Sequence, residues 1–267
     1  MGRIAQTFER LKVEQRKGLI PFITAGHPDL ETTRKLLLAL QTAGADVIEL
    51  GVPFSDPIAD GPVIQQSSQH ALSSGVTLQK ILTVVAELRS ELTTPLVLFS
   101  YLNPVLQFGI DKFSREAADA GVDGVLFCDL PLDEAADIKE TLVERSVDLI
   151  LLAAPTSTDD RLHQIAATAS GFIYAVSRTG VTGTRDALSN EAEQLVRRLR
   201  PLTSLPIAVG FGISTADQIA QVWDYADGAV VGSALVKEIN DHADHNTLVE
   251  HVEEVVRSLF PSPVVKE

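Results

Sequence analysis

Along the chain, short apolar runs rich in Val, Ile and Leu alternate with longer stretches whose apolar residues recur at helical spacing. The runs cover residues 19–24, 47–50, 96–100, 124–127, 149–153, 172–176, 207–209 and 228–231. Apolar and polar positions do not alternate within them, as expected of parallel strands covered on both faces. The intervening stretches are amphipathic. From Thr77 to Leu92, for example, Leu78, Ile81, Leu82, Val85, Leu88 and Leu92 share one helical face and Thr77 is placed to cap the start.

A faint internal echo supports a repeated unit. Ala43-Gly44-Ala45-Asp46-Val47-Ile48 resembles Ala120-Gly121-Val122-Asp123-Gly124-Val125, and Ala226-Asp227-Gly228-Ala229-Val230 is a weaker copy. Successive βαβ units crossing over right-handedly give either an open doubly wound sheet or a closed barrel. Eight strands without a point where strand order reverses favour an α/β fold of the (β/α)8 TIM-barrel type. No linker or low-complexity stretch interrupts the chain, so a single domain over 1–267 is expected.

Composition narrows the function classes. Hydrophobic residues make up 45% of the 267 and charged ones 22%, which supports a sizeable core and excludes global disorder. The net charge of −14 disfavours nucleic acid and anionic membranes as partners, although a local device can still bind phosphate. The lone cysteine, Cys128, rules out an internal disulfide framework and fits a reducing compartment. The longest apolar run, Leu149 to Ala154, is strand-sized, and the first residues carry neither a secretory nor a myristoylation signal. A cytoplasmic location is expected.

Two glycine-bearing turns follow the last strands, Gly210-Phe211-Gly212-Ile213 and Gly232-Ser233-Ala234. In barrels the loops after strands seven and eight cradle phosphate, although glycine also serves a tight turn. No P-loop or dinucleotide fingerprint is present. Glu49 stands near the carboxyl end of the second strand, where an ionised acid is costly to bury; it reads as a proton-transfer group or as an outward-facing structural acid. Asp56 and Asp60, in the loop that follows, fit turn and helix-capping chemistry as well as a second acid or base. All eight lysines lie outside the predicted strands, against a Schiff base, and no G-x-S-x-G occurs. His242, His245 and His251 beside an acidic segment read as solvated, and no metal site is expected. Carboxylate acid–base chemistry on a phosphorylated substrate is what these residues leave.

The run Ile48-Glu49-Leu50-Gly51-Val52-Pro53-Phe54-Ser55-Asp56-Pro57-Ile58-Ala59-Asp60-Gly61-Pro62 resembles the signature of the tryptophan synthase alpha chain family. Pro21-Phe22-Ile23-Thr24-Ala25-Gly26, Tyr101-Leu102-Asn103-Pro104 and Ser177-Arg178-Thr179-Gly180-Val181-Thr182-Gly183 are similar to its first strand, third loop and mobile sixth loop. His27 departs from the family, which more often has another polar residue there. The resemblance implies a TIM barrel with an extra N-terminal helix (about 1–16), additional helices in the βα loops and a flexible tail (about 261–267). It implies a lyase that reversibly cleaves indole-3-glycerol phosphate to indole and glyceraldehyde 3-phosphate. Glu49 would transfer protons at the reacting carbons, and Asp60 would act on the indole nitrogen. Phe22, Tyr174 and Phe211 would line the pocket, Gly183, Gly212, Gly232 and Ser233 would hold the phosphate, and Thr182 would meet Asp60 on closure. The chain would need no cofactor; pyridoxal phosphate would belong to a partner beta chain in an α2β2 assembly, docked through the loops around Pro53 to Ile58 and Pro104 to Phe108. A free-standing lyase and a non-catalytic activator of a beta chain are the alternatives; retention of both Glu49 and Asp60 argues against the second.

Overall fold

A computed structural model describes residues 1–177 and 190–261. Its strands are β1 (Gly18–Thr24), β2 (Ile48–Gly51), β3 (Leu96–Ser100), β4 (Gly124–Phe127), β5 (Asp148–Ala153), β6 (Ile173–Val176), β7 (Ile207–Gly210) and β8 (Gly228–Val231). All are parallel and pair in sequence order. Pairing of β1 with β8, from Gly18 opposite Gly228 to Pro21 opposite Val231, closes the barrel and excludes the open sheet. Extra helices follow β2 (Pro62–Ser73 before Leu78–Leu88) and β3 (Leu102–Phe108 before Ile110–Ala120). The N-terminal helix, Arg3–Val13, is shorter than the expected 1–16, and of the expected tail residues 262–267 lie outside the described residues.

The strands read as continuous apolar runs because each separates two hydrophobic cores. Leu19, Ile48, Leu50, Leu96, Leu98 and Val125 point outward into the layer shared with the helices. Ile20, Phe22, Val47, Val97, Phe99, Leu126, Ile150 and Tyr174 point inward and fill the barrel. Helix Arg3–Val13 covers the amino-terminal end, inserting Ile4, Phe8 and Leu11 into the inner core. Phe8 meets Phe172 there at 6.0 Å between ring centroids.

The internal echo has a structural basis at that same end. Gly44 and Gly121, at φ 101° and 84°, end helices in the left-handed conformation that glycine tolerates. The aspartate two residues later then accepts a backbone N–H from the preceding strand. Asp46 binds Leu19 N at 3.0 Å, Asp123 binds Leu96 N at 2.8 Å and Asp227 binds Ile207 N at 2.9 Å. Ser170 does the same for Leu149 N at 2.8 Å. The four ties join β1 to β2, β3 to β4, β5 to β6 and β7 to β8. Among the described residues, no single helix is long and apolar enough to cross a membrane.

Candidate active site

The inward parity of β2 fixes the direction of Glu49. Ile48 and Leu50 belong to the outer core, so Glu49 between them faces the barrel interior, level with Phe22 on β1 and Val97 on β3. It lines a cavity of about 420 Å³ at the carboxyl ends of the strands. The residue is 1% exposed, and its Oε1 has no hydrogen-bond partner among the described residues. Desolvation without a compensating charge lifts its pKa from the ordinary 4.5 to about 8, so the carboxyl is neutral at pH 7. The outward-facing structural reading of Glu49 is thereby excluded.

Asp60 reaches the same cavity from the loop after β2. The capping reading fails for it. Helix Pro62–Ser73 begins with Pro62 in its first turn and Gly61 as its cap, with no side-chain cap bond. The Asp60 carboxylate instead accepts a hydrogen bond from the Tyr101 hydroxyl at 3.1 Å, and that hydroxyl accepts from Ala59 N at 2.9 Å. Burial raises the Asp60 pKa to about 6, with the Tyr101 bond pulling the other way. Asp56 is exposed, bonded to Ser55, and is not among the cavity's lining residues.

Phe22, Tyr174, Phe211, Gly212, Gly232 and Ser233 all line the cavity with the two acids. Tyr174 is buried beside Glu49, and both burial and that neighbour keep its phenol protonated. A Cβ at Gly210 would lie 1.9 Å from the Tyr174 hydroxyl, so the glycine that ends β7 is required by this ring. Phe211 holds φ 72°, unusual for a bulky side chain, and is 39% exposed at the rim. Gly232 caps the nine-residue helix Ser233–Asp241, whose first N–H groups suit an anion. Thr182 and Gly183 lie outside the described residues.

Sequence reasoning missed Tyr101 as the partner of Asp60, and it missed the walls formed by Ile64, Phe99, Cys128, Leu152 and Val176. Phe99, Leu152 and Val176 are the last inward positions of β3, β5 and β6, a signal readable once strand parity is known. Burial keeps Cys128 a neutral thiol. His27 packs against His70 and does not line the cavity. The segment from Pro104 to Phe108 lies within helix Leu102–Phe108 and is not a loop. It exposes Leu106, while Ile58 in the preceding loop is 83% exposed.

The sequence profile of the tryptophan synthase alpha chain family matches residues 8–261. A tryptophan synthase alpha chain from Geotalea uraniireducens (strain Rf4) is 52% identical over 237 residues, 89% of each chain. The crystal structure of tryptophan synthase subunit alpha from Legionella pneumophila str. Paris superposes with a TM-score of 0.89, at 36% identity and 97% coverage of both chains. The crystal structure of a tryptophan synthase complex from Pyrococcus furiosus gives 0.84 at 40% identity, covering 91% of this chain and 97% of that one. On sequence over most of its length and on fold, the chain belongs to the tryptophan synthase alpha chain family and is a lyase.

Proposed function

We propose that the chain cleaves indole-3-glycerol phosphate reversibly to indole and glyceraldehyde 3-phosphate, with Glu49 and Asp60 as its catalytic residues. The observation that carries this reading is that the two acids share one cavity yet differ in proton affinity, at about 8 and about 6. At neutral pH one is a proton donor and the other an anion, the division of labour that acid–base chemistry needs.

In the cleavage the bond between indole C3 and the side chain breaks. The ring carbon gains a proton, and the hydroxyl-bearing carbon becomes an aldehyde as its hydroxyl loses one. Glu49 delivers the first proton and, ionised by doing so, takes up the second, so the residue returns to its starting state. The Asp60 carboxylate, held by Tyr101, stabilises the indole N–H as positive charge develops on the ring. Phe22, Phe99, Tyr174 and Phe211 supply apolar walls for the indole. Gly212, Gly232 and Ser233 receive the phosphate through backbone N–H groups. Both proton transfers are met by side chains, so the chain needs no cofactor of its own.

The same proposal makes the chain a cytoplasmic subunit that hands indole to a pyridoxal-phosphate beta chain in an α2β2 assembly. Exposed Ile58 and Leu106, on the segments that follow β2 and β3, are suited to that docking. The Pyrococcus furiosus relative forms part of a tryptophan synthase complex, which supports a subunit role here. The test is indole release from indole-3-glycerol phosphate by the purified chain, with and without a beta chain. Glu49→Gln should lower the rate by roughly 10² to 10⁴ while a phosphate-bearing substrate analogue still binds. Full activity in this variant would refute the assignment.

A further inference from the structure

Three of the six histidines lie between residues 242 and 251, and the fold gathers two of them around one carboxylate. Glu238 is in the last turn of helix Ser233–Asp241, and His242 follows one turn later as its C-cap. His251 approaches from helix Leu248–Ser258. Its Nε2 lies 2.9 Å from Glu238 Oε2, and His242 Nδ1 lies 3.9 Å from the same oxygen. The two imidazoles face each other with centroids 3.9 Å apart and planes tilted by 32°. One ligand atom from each of the three residues falls within 4.8 Å of the others.

We infer that Glu238, His242 and His251 form a binding site for a divalent transition-metal ion of the zinc class. Tetrahedral zinc holds its ligand atoms about 3.3 Å from one another, so modest side-chain rotation converts the observed cluster into a coordination set. His242 Nδ1 also lies 2.9 Å from the Glu238 carbonyl; with its proton donated there, Nε2 carries the lone pair that a rotation of the ring would bring to the ion. The three side chains are 31–36% exposed, which leaves a fourth position open to water. Two imidazoles and one carboxylate favour zinc, cobalt or nickel over magnesium or calcium, which prefer oxygen donors throughout. Asp241, Asp244, Glu250 and Glu254 add negative charge along this part of the chain and so favour a cation. None of the three ligands lines the cavity, so this site is independent of the lyase reading. An ion here would pin the helix that begins at Ser233 to helix Leu248–Ser258.

The experiment uses the full chain, stripped with chelator and dialysed. Zinc chloride is titrated calorimetrically, and cobalt chloride is followed by its visible absorption. One ion per chain is expected, with His242→Ala and His251→Ala each weakening binding at least about tenfold. Exposed His163, on a distant helix, should be replaceable by alanine without effect. Zinc should also raise the melting temperature of the wild-type protein but not of His251→Ala; melting of both metal-free proteins verifies that the variant is folded. Absence of saturable binding, or binding unchanged in the His242→Ala/His251→Ala double variant, would overturn the site.

Discussion

Replacing Glu49 by glutamine should stabilise the unliganded protein by an amount that grows with pH. In the unfolded chain this carboxyl titrates near 4.5, and in the folded one near 8. Below pH 4.5 both states hold the proton, and stability is unaffected. As pH rises between the two values, the unfolded chain gains by ionising while the buried carboxyl cannot follow. Stability then falls by about 1.4 kcal/mol per pH unit and levels off above pH 8. Between pH 5 and pH 8.5 the loss grows by about 4 kcal/mol. Glutamine cannot ionise, and the desolvation of its amide does not depend on pH, so that contribution cancels when the two pH values are compared. Urea unfolding followed by far-UV circular dichroism, on wild type and Glu49→Gln at pH 5, 7 and 8.5, measures the difference directly. A stability difference that stays constant with pH to within about 1 kcal/mol would refute the account of Glu49 as a desolvated, neutral acid.

The same two carboxyls predict a bell-shaped kcat/KM profile, rising as Asp60 ionises near 6 and falling as Glu49 deprotonates near 8; a rate independent of pH from 5 to 9 would contradict it. Tyr101→Phe removes a bond that favours the Asp60 carboxylate, so the acidic limb should move to higher pH, as read from the same assay. Asp123→Ala should lower stability by about 2–4 kcal/mol in denaturant titrations, because Leu96 N–H loses its acceptor and Arg89, with a 13% exposed side chain, loses its carboxylate partner. Asp123→Asn, which keeps an acceptor, should lose less.

The barrel is legible because burial on both faces leaves a distinctive mark, and no strand limit differs by more than one residue from its apolar run. That same uniformity hides the cavity walls. Toward the carboxyl ends of β4, β5 and β6 both faces are apolar, so nothing local distinguishes Leu152 or Val176 from its outward neighbours. In β2 a single acid marks the inner face, and Glu49 stands out for that reason. Asp60 is ambiguous in sequence because the residue that decides its role, Tyr101, is 41 positions away and meets it only through the fold. The aspartate echo is visible at three sites, but its purpose is not; the fourth tie uses Ser170, which no search for a repeated acid would find. Pro104 to Phe108 reads wrongly as a loop because proline and glycine punctuate a helix of only seven residues.

Helix Arg3–Val13 gives the barrel a floor, so that among the described residues the cup is closed at its amino-terminal end. In the proposed reaction, substrate would reach the acids past the rim that Asp60, Phe211 and Gly232 share. Solvent is also denied a route from below, which is what lets a lone carboxyl deep in the vessel keep its proton at neutral pH. The first turns of the chain, remote from any chemistry, thereby help set the acidity of Glu49.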